Sequence, residues 1–169
     1  MVDDRLERAR VAAEEVPDPE IPSLTCGDLG MIRQIRFEED GVLRVDVAPT
    51  YSGCPATEVI QRSVREAVRE AGFRTVEVHM VRSPPWTTDW ITSRGRARLL
   101  EAGIAPPQAT SRKLPVVAEL NLFAPPPDVP CPHCGSERTE RVSTHGSTPC
   151  KAMYRCLACA EPFEHFKCH

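Results

Sequence analysis

The chain has 169 residues, 41% of them hydrophobic, and a formal net charge of −3. That length fits one medium domain, or a small domain with an appendage. The charge argues against a general polyanion binder, and no run of eighteen apolar residues is present to span a membrane.

In chain order the pattern reads α-β-β-α-β, which predicts an α+β fold. Residues 3–15 carry Leu6, Ala9 and Ala13 at helical spacing, and "VPDPEIP" stops that helix. From Met31 to Glu38 the residues alternate, with Met31, Ile35 and Phe37 on one face. The turn "EEDG" follows, then a second alternating strand with Leu43, Val45 and Val47. Pro55 suits the first turn of a helix whose apolar face is Val59, Ile60, Val64, Ala67, Val68 and Ala71, and Gly72 is a natural stop. Val76, Val78 and Met80 predict a third strand. After the loop "SPPWTTDW", Thr88 is the predicted N-cap of a helix running to about Glu101. Trp86 and Trp90 in that loop fit either a partner surface or a core closure.

The segment "APPPDVP" is a stiff, proline-rich spacer. It predicts a main domain over 1–123, a linker over 124–130 and a cysteine-rich tail over 131–169. The tail is too short for a self-sufficient apolar core and needs a staple. "MVDDRLERAR" has no apolar h-region, so the expected compartment is the cytoplasm. Eight cysteines in a reducing compartment point to metal or redox chemistry.

Cys131 and Cys134 lie in "CPHCG", Cys156 and Cys159 in "CLAC", with 21 residues between the pairs. A two-residue gap lets one tight turn place two thiolates on one side of a metal ion, and two such turns complete a tetrahedron. The tail therefore reads as a zinc ribbon. A rubredoxin-like iron site uses the same ligands, and a disulfide-stapled tail needs an oxidising compartment. Four thiolates close the coordination sphere, which suits a structural role. Five basic residues against four acidic ones give the tail no basic footprint, so nucleic acid is not an expected partner and protein docking is. Cys150, and Cys168 with His169 in the terminal "FKCH", are further candidate ligands for a second metal site.

The stretch "TYSGCPA" sets Cys54 between a strand and a helix. A helix start stabilises a thiolate, and an exposed thiolate is a soft ligand for iron or a cluster. The competing reading is a small buried side chain, which is also the expectation for Cys26. No Glu-x-x-His pair, Gly-x-Gly-x-x-Gly, phosphate-binding loop or His-Glu-x-x-His is present, so no di-iron, dinucleotide, nucleotide or zinc-protease chemistry is signalled. The chain is not expected to be catalytic by itself.

"DPEIPSLTCGDLGMI", "PTYSGCPA" and "SPPWTTDWIT", in that order, resemble iron–sulfur assembly factors of the SufT type over about residues 5–103. With the appended cysteine-rich tail, the whole chain is similar to the D-subunit family of phenylacetyl-CoA epoxidase (oxygenase) systems. The resemblance implies an accessory subunit in aerobic phenylacetate catabolism that aids assembly of iron or iron–sulfur centres. It implies Cys54 at the functional site, with Asp18 and Glu20 as oxygen ligands or orienting carboxylates, and zinc held in the ribbon. The implied partners are the other oxygenase and reductase subunits, or a second copy of the chain. The competing reading is a structural or regulatory subunit without metal transfer.

Overall fold

A computed structural model describes residues 4–50, 53, 56–108 and 129–167. The described residues form two compact units that divide between Arg98 and Leu99. Among them no helix is long and apolar enough to cross a membrane.

In the first unit α1 (Asp4–Glu14) precedes β1 (Ile32–Phe37) and β2 (Leu43–Val47). Then come α2 (Thr57–Glu70) and β3 (Val76–Met80). β1 and β2 form a hairpin whose turn needs Gly41 at φ +81°, with the Gly41 N–H donating to the Glu38 carbonyl. β3 lies parallel to β2, and α2 is the crossover between them. Ala9 and Ala13 from α1, Ile60, Val64 and Val68 from α2, and Val45, Val47 and Val78 from the sheet are all buried. On the polar face Asp46 accepts hydrogen bonds from Arg36 (2.9 Å) and Arg44 (2.8 Å).

Three local expectations change. The alternation of β1 breaks at a bulge between Ile32 and Gln34, so Ile32 and Ile35 are both buried and Arg33 is extruded. Val59, placed on the apolar face of α2, is 38% exposed, because the buried stripe narrows to Ile60, Val64 and Val68. Thr88 does not cap the third helix. It opens a 3₁₀ turn (Thr88–Trp90), and α3 (Ser93–Glu101) is capped by Thr92, whose hydroxyl accepts the Gly95 N–H at 3.0 Å. The predicted helix-start residue Pro55 lies outside the described residues.

The second unit is a four-stranded sheet in the order β4-β7-β6-β5, from β4 (Ile104–Ala105), β5 (Thr139–Ser143), β6 (Lys151–Cys156) and β7 (Pro162–Phe166). β4 pairs in parallel with β7, and the other pairs are antiparallel. Its small core holds Ala105, Val129, Ala152, Tyr154 and Phe163 beside Cys131 and Cys156. This differs from a main domain reaching residue 123. Ile104 and Ala105 belong to the cysteine-rich unit, because they complete the edge of its sheet. Val129, inside the expected linker, is buried in that unit's core and its carbonyl accepts the Thr139 hydroxyl at 2.8 Å. Residues 124–128 of the spacer lie outside the described residues.

Candidate metal centre and the Asp18 loop

Two tight turns build the thiol cluster, and they are near copies of each other. In each, the first cysteine donates its N–H to a carbonyl five residues on: Cys131 to Ser136 and Cys156 to Glu161, both at 3.0 Å. In each, the residue after the second cysteine is left-handed: Gly135 at φ 73° and Ala160 at φ 65°. That geometry costs a glycine nothing and strains an alanine. The N–H groups of Ala158 (3.3 Å) and Cys159 (3.5 Å) point at the Cys156 sulfur. Led by the Cys159 N–H, these bonds pull the Cys156 thiol down to about 6.

The sulfurs of Cys131, Cys134, Cys156 and Cys159 all lie within 4.8 Å of one another. Cys131 and Cys159 are 3.8 Å apart, and Cys134 and Cys156 are 3.6 Å apart. A tetrahedral zinc with Zn–S bonds of about 2.3 Å requires S···S edges of about 3.8 Å, so the donor set fits a metal ion of that size and preference. Cys131 and Cys156 are buried, whereas Cys134 and Cys159 are exposed, so the cluster lies at the rim of the unit's core. Among the described residues no other group of three or more His, Cys, Asp or Glu side chains converges in this way. Cys150 is not in the cluster. It is buried, with its sulfur 3.0 Å from the Thr148 hydroxyl. Cys168 and His169 lie outside the described residues.

In the first unit Asp18 is buried in the loop between α1 and β1. Pro17 and Thr25 form a bridge at the base of this loop, and the Asp18 N–H donates to the Leu24 carbonyl at 2.9 Å. Asp18 Oδ1 accepts the N–H groups of Glu20 (2.9 Å) and Ile21 (2.8 Å), a side-chain-mediated turn that the Asp-Pro-Glu order permits. Glu20 is half-buried on that turn. Cys26 is fully buried nearby. Burial, and next the charge of Asp18, push its thiol up to about 12, so it stays protonated at neutral pH and acts as packing. Cys54, the third residue of the expected iron-handling set, lies outside the described residues.

A charged hub that no sequence motif announces stands beside this loop. Asp28 is completely buried. Its carboxylate accepts from Arg94 (2.6 Å), Arg98 (2.7 Å) and the Thr25 N–H (3.1 Å). Burial alone would raise its carboxyl pKa, but the bonds from Arg94, Thr25 and Arg98 outweigh it and hold that pKa below the usual range. The Asp28 carbonyl also accepts the Thr92 N–H. A Cβ on Gly95 would stand 2.6 Å from that carbonyl, so α3 docks here only with glycine at that position. The i, i+4 spacing of Arg94 and Arg98 was a visible signal; the burial of Asp28 was not. Trp86 is buried with its indole N–H on the Leu29 carbonyl at 2.8 Å, so it closes the core. Trp90 is half-buried under the Arg33 guanidinium, 3.5 Å from its ring centre.

Comparison with known proteins places both units. Residues 7–80 match the model of the iron-sulfur cluster assembly protein family, and residues 118–167 match the PaaD zinc beta ribbon domain. Over 154 residues, 91% of this chain and 87% of the other, the chain is 47% identical to the putative D-subunit of the 1,2-phenylacetyl-CoA epoxidase of Escherichia coli. The chain belongs to this D-subunit family. Over 79 residues it is also 34% identical to the Fe-S protein maturation auxiliary factor YitW of Bacillus subtilis, covering 46% of this chain and 76% of that protein. Its fold resembles a solved domain of unknown function, DUF59, from Bacillus anthracis. The TM-score is 0.52 at 22% identity, over 56% of this chain and 91% of that one.

Proposed function

We propose that this protein is a cytoplasmic accessory subunit of a phenylacetyl-CoA epoxidase that helps to assemble iron or iron–sulfur centres in its partner subunits. The observation that carries the reading is the order of two matched regions on one chain, an iron–sulfur assembly domain and then a zinc ribbon, in a chain whose relative along nearly its full length is named as an epoxidase subunit.

In this reading iron or a cluster is cargo, not a resident cofactor. Cys54 holds it transiently as a soft thiolate, and Asp18 and Glu20 assist with oxygen. The buried turn built on Asp18 supports the assignment, because it fixes that carboxylate in the loop between α1 and β1. Zinc in the ribbon is structural, held by Cys131, Cys134, Cys156 and Cys159, and the ribbon docks the partner.

Cys54→Ser tests the reading, since it keeps the size of the side chain but replaces the thiol with a hydroxyl that stays protonated at neutral pH. Folding and zinc content should be those of the wild type. Phenylacetate-dependent growth, with the variant as the only copy, should be lost. Wild-type growth would leave a structural subunit without metal transfer as the better account. Epoxide formation by the isolated chain with phenylacetyl-CoA, reductant and oxygen would overturn the accessory role altogether.

A further inference from the structure

One face of the ribbon sheet carries a cleft of about 300 Å³ that the metal centre does not use. Its lining includes Ala152 and Tyr154 together with Arg141, His145, His165 and Lys167. Register explains the grouping. Arg141 pairs with Tyr154 across β5 and β6, and Ala152 pairs with His165 across β6 and β7, so these four side chains share a face. No acidic residue lines the cleft. The nearby carboxylates are neutralised elsewhere: Glu164 by Lys151 at 2.8 Å, and Glu140 by Arg155 at 2.6 Å.

The polar groups here are placed but unspent. Among the described residues the Arg141 guanidinium and the Tyr154 hydroxyl have no hydrogen-bond or ion-pair partner, and the two feel each other only through the arginine's charge. Lys167 is anchored by one bond to the Thr144 carbonyl (3.1 Å), which leaves the ammonium two further donors. His165 is buried and lies edge-on to Tyr154 at 5.6 Å. Its Nδ1 is 3.1 Å from the Ala105 carbonyl. A carbonyl can only accept, so Nδ1 carries the proton and Nε2 of the neutral ring offers a lone pair. Burial lowers the His165 pKa and favours that neutral form.

Thr144 and His145 are paired with each other at 3.0 Å, and the cleft beyond them presents two cations and the Tyr154 hydroxyl beside one buried acceptor. A carboxylate would satisfy the donors and leave the acceptor facing a lone pair. A phosphate that keeps one P–O–H satisfies both, and a planar guanidinium suits its oxygens. We propose that this cleft is a binding site for a small phosphate ligand that carries a P–O–H, either inorganic phosphate or the monoanionic phosphate group of a monoester.

The test is a side-chain NMR titration of the zinc-loaded full chain at neutral pH and constant ionic strength. Inorganic phosphate, a simple phosphate monoester and acetate are added in separate arms, with zinc content measured throughout. Saturable shifts at Tyr154, His165 and the Arg141 Nε–H should appear with phosphate or the monoester, and the tighter arm identifies the source. Acetate should bind about tenfold more weakly, as expected when a buried acceptor is left unpaired. Arg141→Gln should weaken phosphate binding by about tenfold or more through loss of a charge-assisted bond. Tyr154→Phe should weaken it several-fold without changing the melting temperature, because the hydroxyl has no hydrogen-bond partner among the described residues. Arg155→Gln, on the opposite face, should leave it unchanged. Shifts that never saturate, or an equal loss in Arg155→Gln, would overturn the site. Equal affinity for acetate would overturn the phosphate assignment.

Discussion

The two compact units solve the same problem with different materials. The first unit buries aliphatic side chains from two helices and three strands, and it adds two buried carboxylates, Asp28 and Asp46, each clasped by two arginines. The second has a core of a few residues in which two of the members are cysteines. A core that small cannot offset the entropy of ordering the chain, so the thiols take over the task that apolar area performs in the first unit. One unit should therefore be sensitive to packing and acid, and the other to metal.

Removal of metal should separate them most sharply. Metal–thiolate binding in small zinc domains carries about 10–16 kcal/mol of apparent folding free energy at neutral pH. Chelation should melt β5, β6 and β7 and leave the resonances of the first unit native-like. A chelated chain whose ribbon kept its protease resistance would break the contrast.

Asp28→Ala should act the other way round. It leaves Arg94 and Arg98 without their shared acceptor and opens the docking of α3. The cost should be about 1–3 kcal/mol in urea unfolding of the first unit, since both arginines can turn to solvent, with zinc content unchanged. The same group sets an acid sensitivity. Its folded pKa is depressed below an unfolded value of about 3.9, so its contribution is complete above that value and is lost as pH falls through the folded pKa. Between those limits the unfolded state binds the extra proton. Wild-type stability should drop on acidification below about pH 4, and Asp28→Ala should flatten that slope.

The smallest effect probes the near-copy turns of the ribbon. Ala160 holds the left-handed position that Gly135 holds in the other turn. Ala160→Gly should relieve that strain, less the entropy glycine adds to the unfolded chain, and stabilise the ribbon by up to about 1 kcal/mol in thermal melts of the metal-loaded protein. A loss of stability would mean that the two turns are not energetically equivalent.

Much of this was legible residue by residue. The order of helices and strands follows from periods that neighbouring side chains impose, and the pairing of Cys131 with Cys134 and of Cys156 with Cys159 is a spacing that one turn can close. Resemblance carried the assembly domain and its Asp18 motif. What escaped were features that depend on distant partners. Thr88 and Thr92 are both plausible caps in sequence, and the choice of Thr92 comes with its N–H bonded to Asp28, sixty-four residues earlier. Val59 and Ile60 both read as core, and the rotation of α2 buries Ile60 and leaves Val59 exposed. Ile104 and Ala105 carried no strand signal in two residues, and they became one by lying beside β7.

The sequence by itself determined the α+β order, the four-thiol set and the family to which the chain belongs, because propensity, spacing and motif are properties of short stretches. Only the tertiary structure decided that Asp28 is a buried hub, that Cys26 is a protonated packing thiol, that the metal-binding unit reaches back to Leu99, and that Arg141, Tyr154, His165 and Lys167 share one cleft. Burial, strand register and the dielectric around a charge are set by residues far apart in the chain, and no local window contains them.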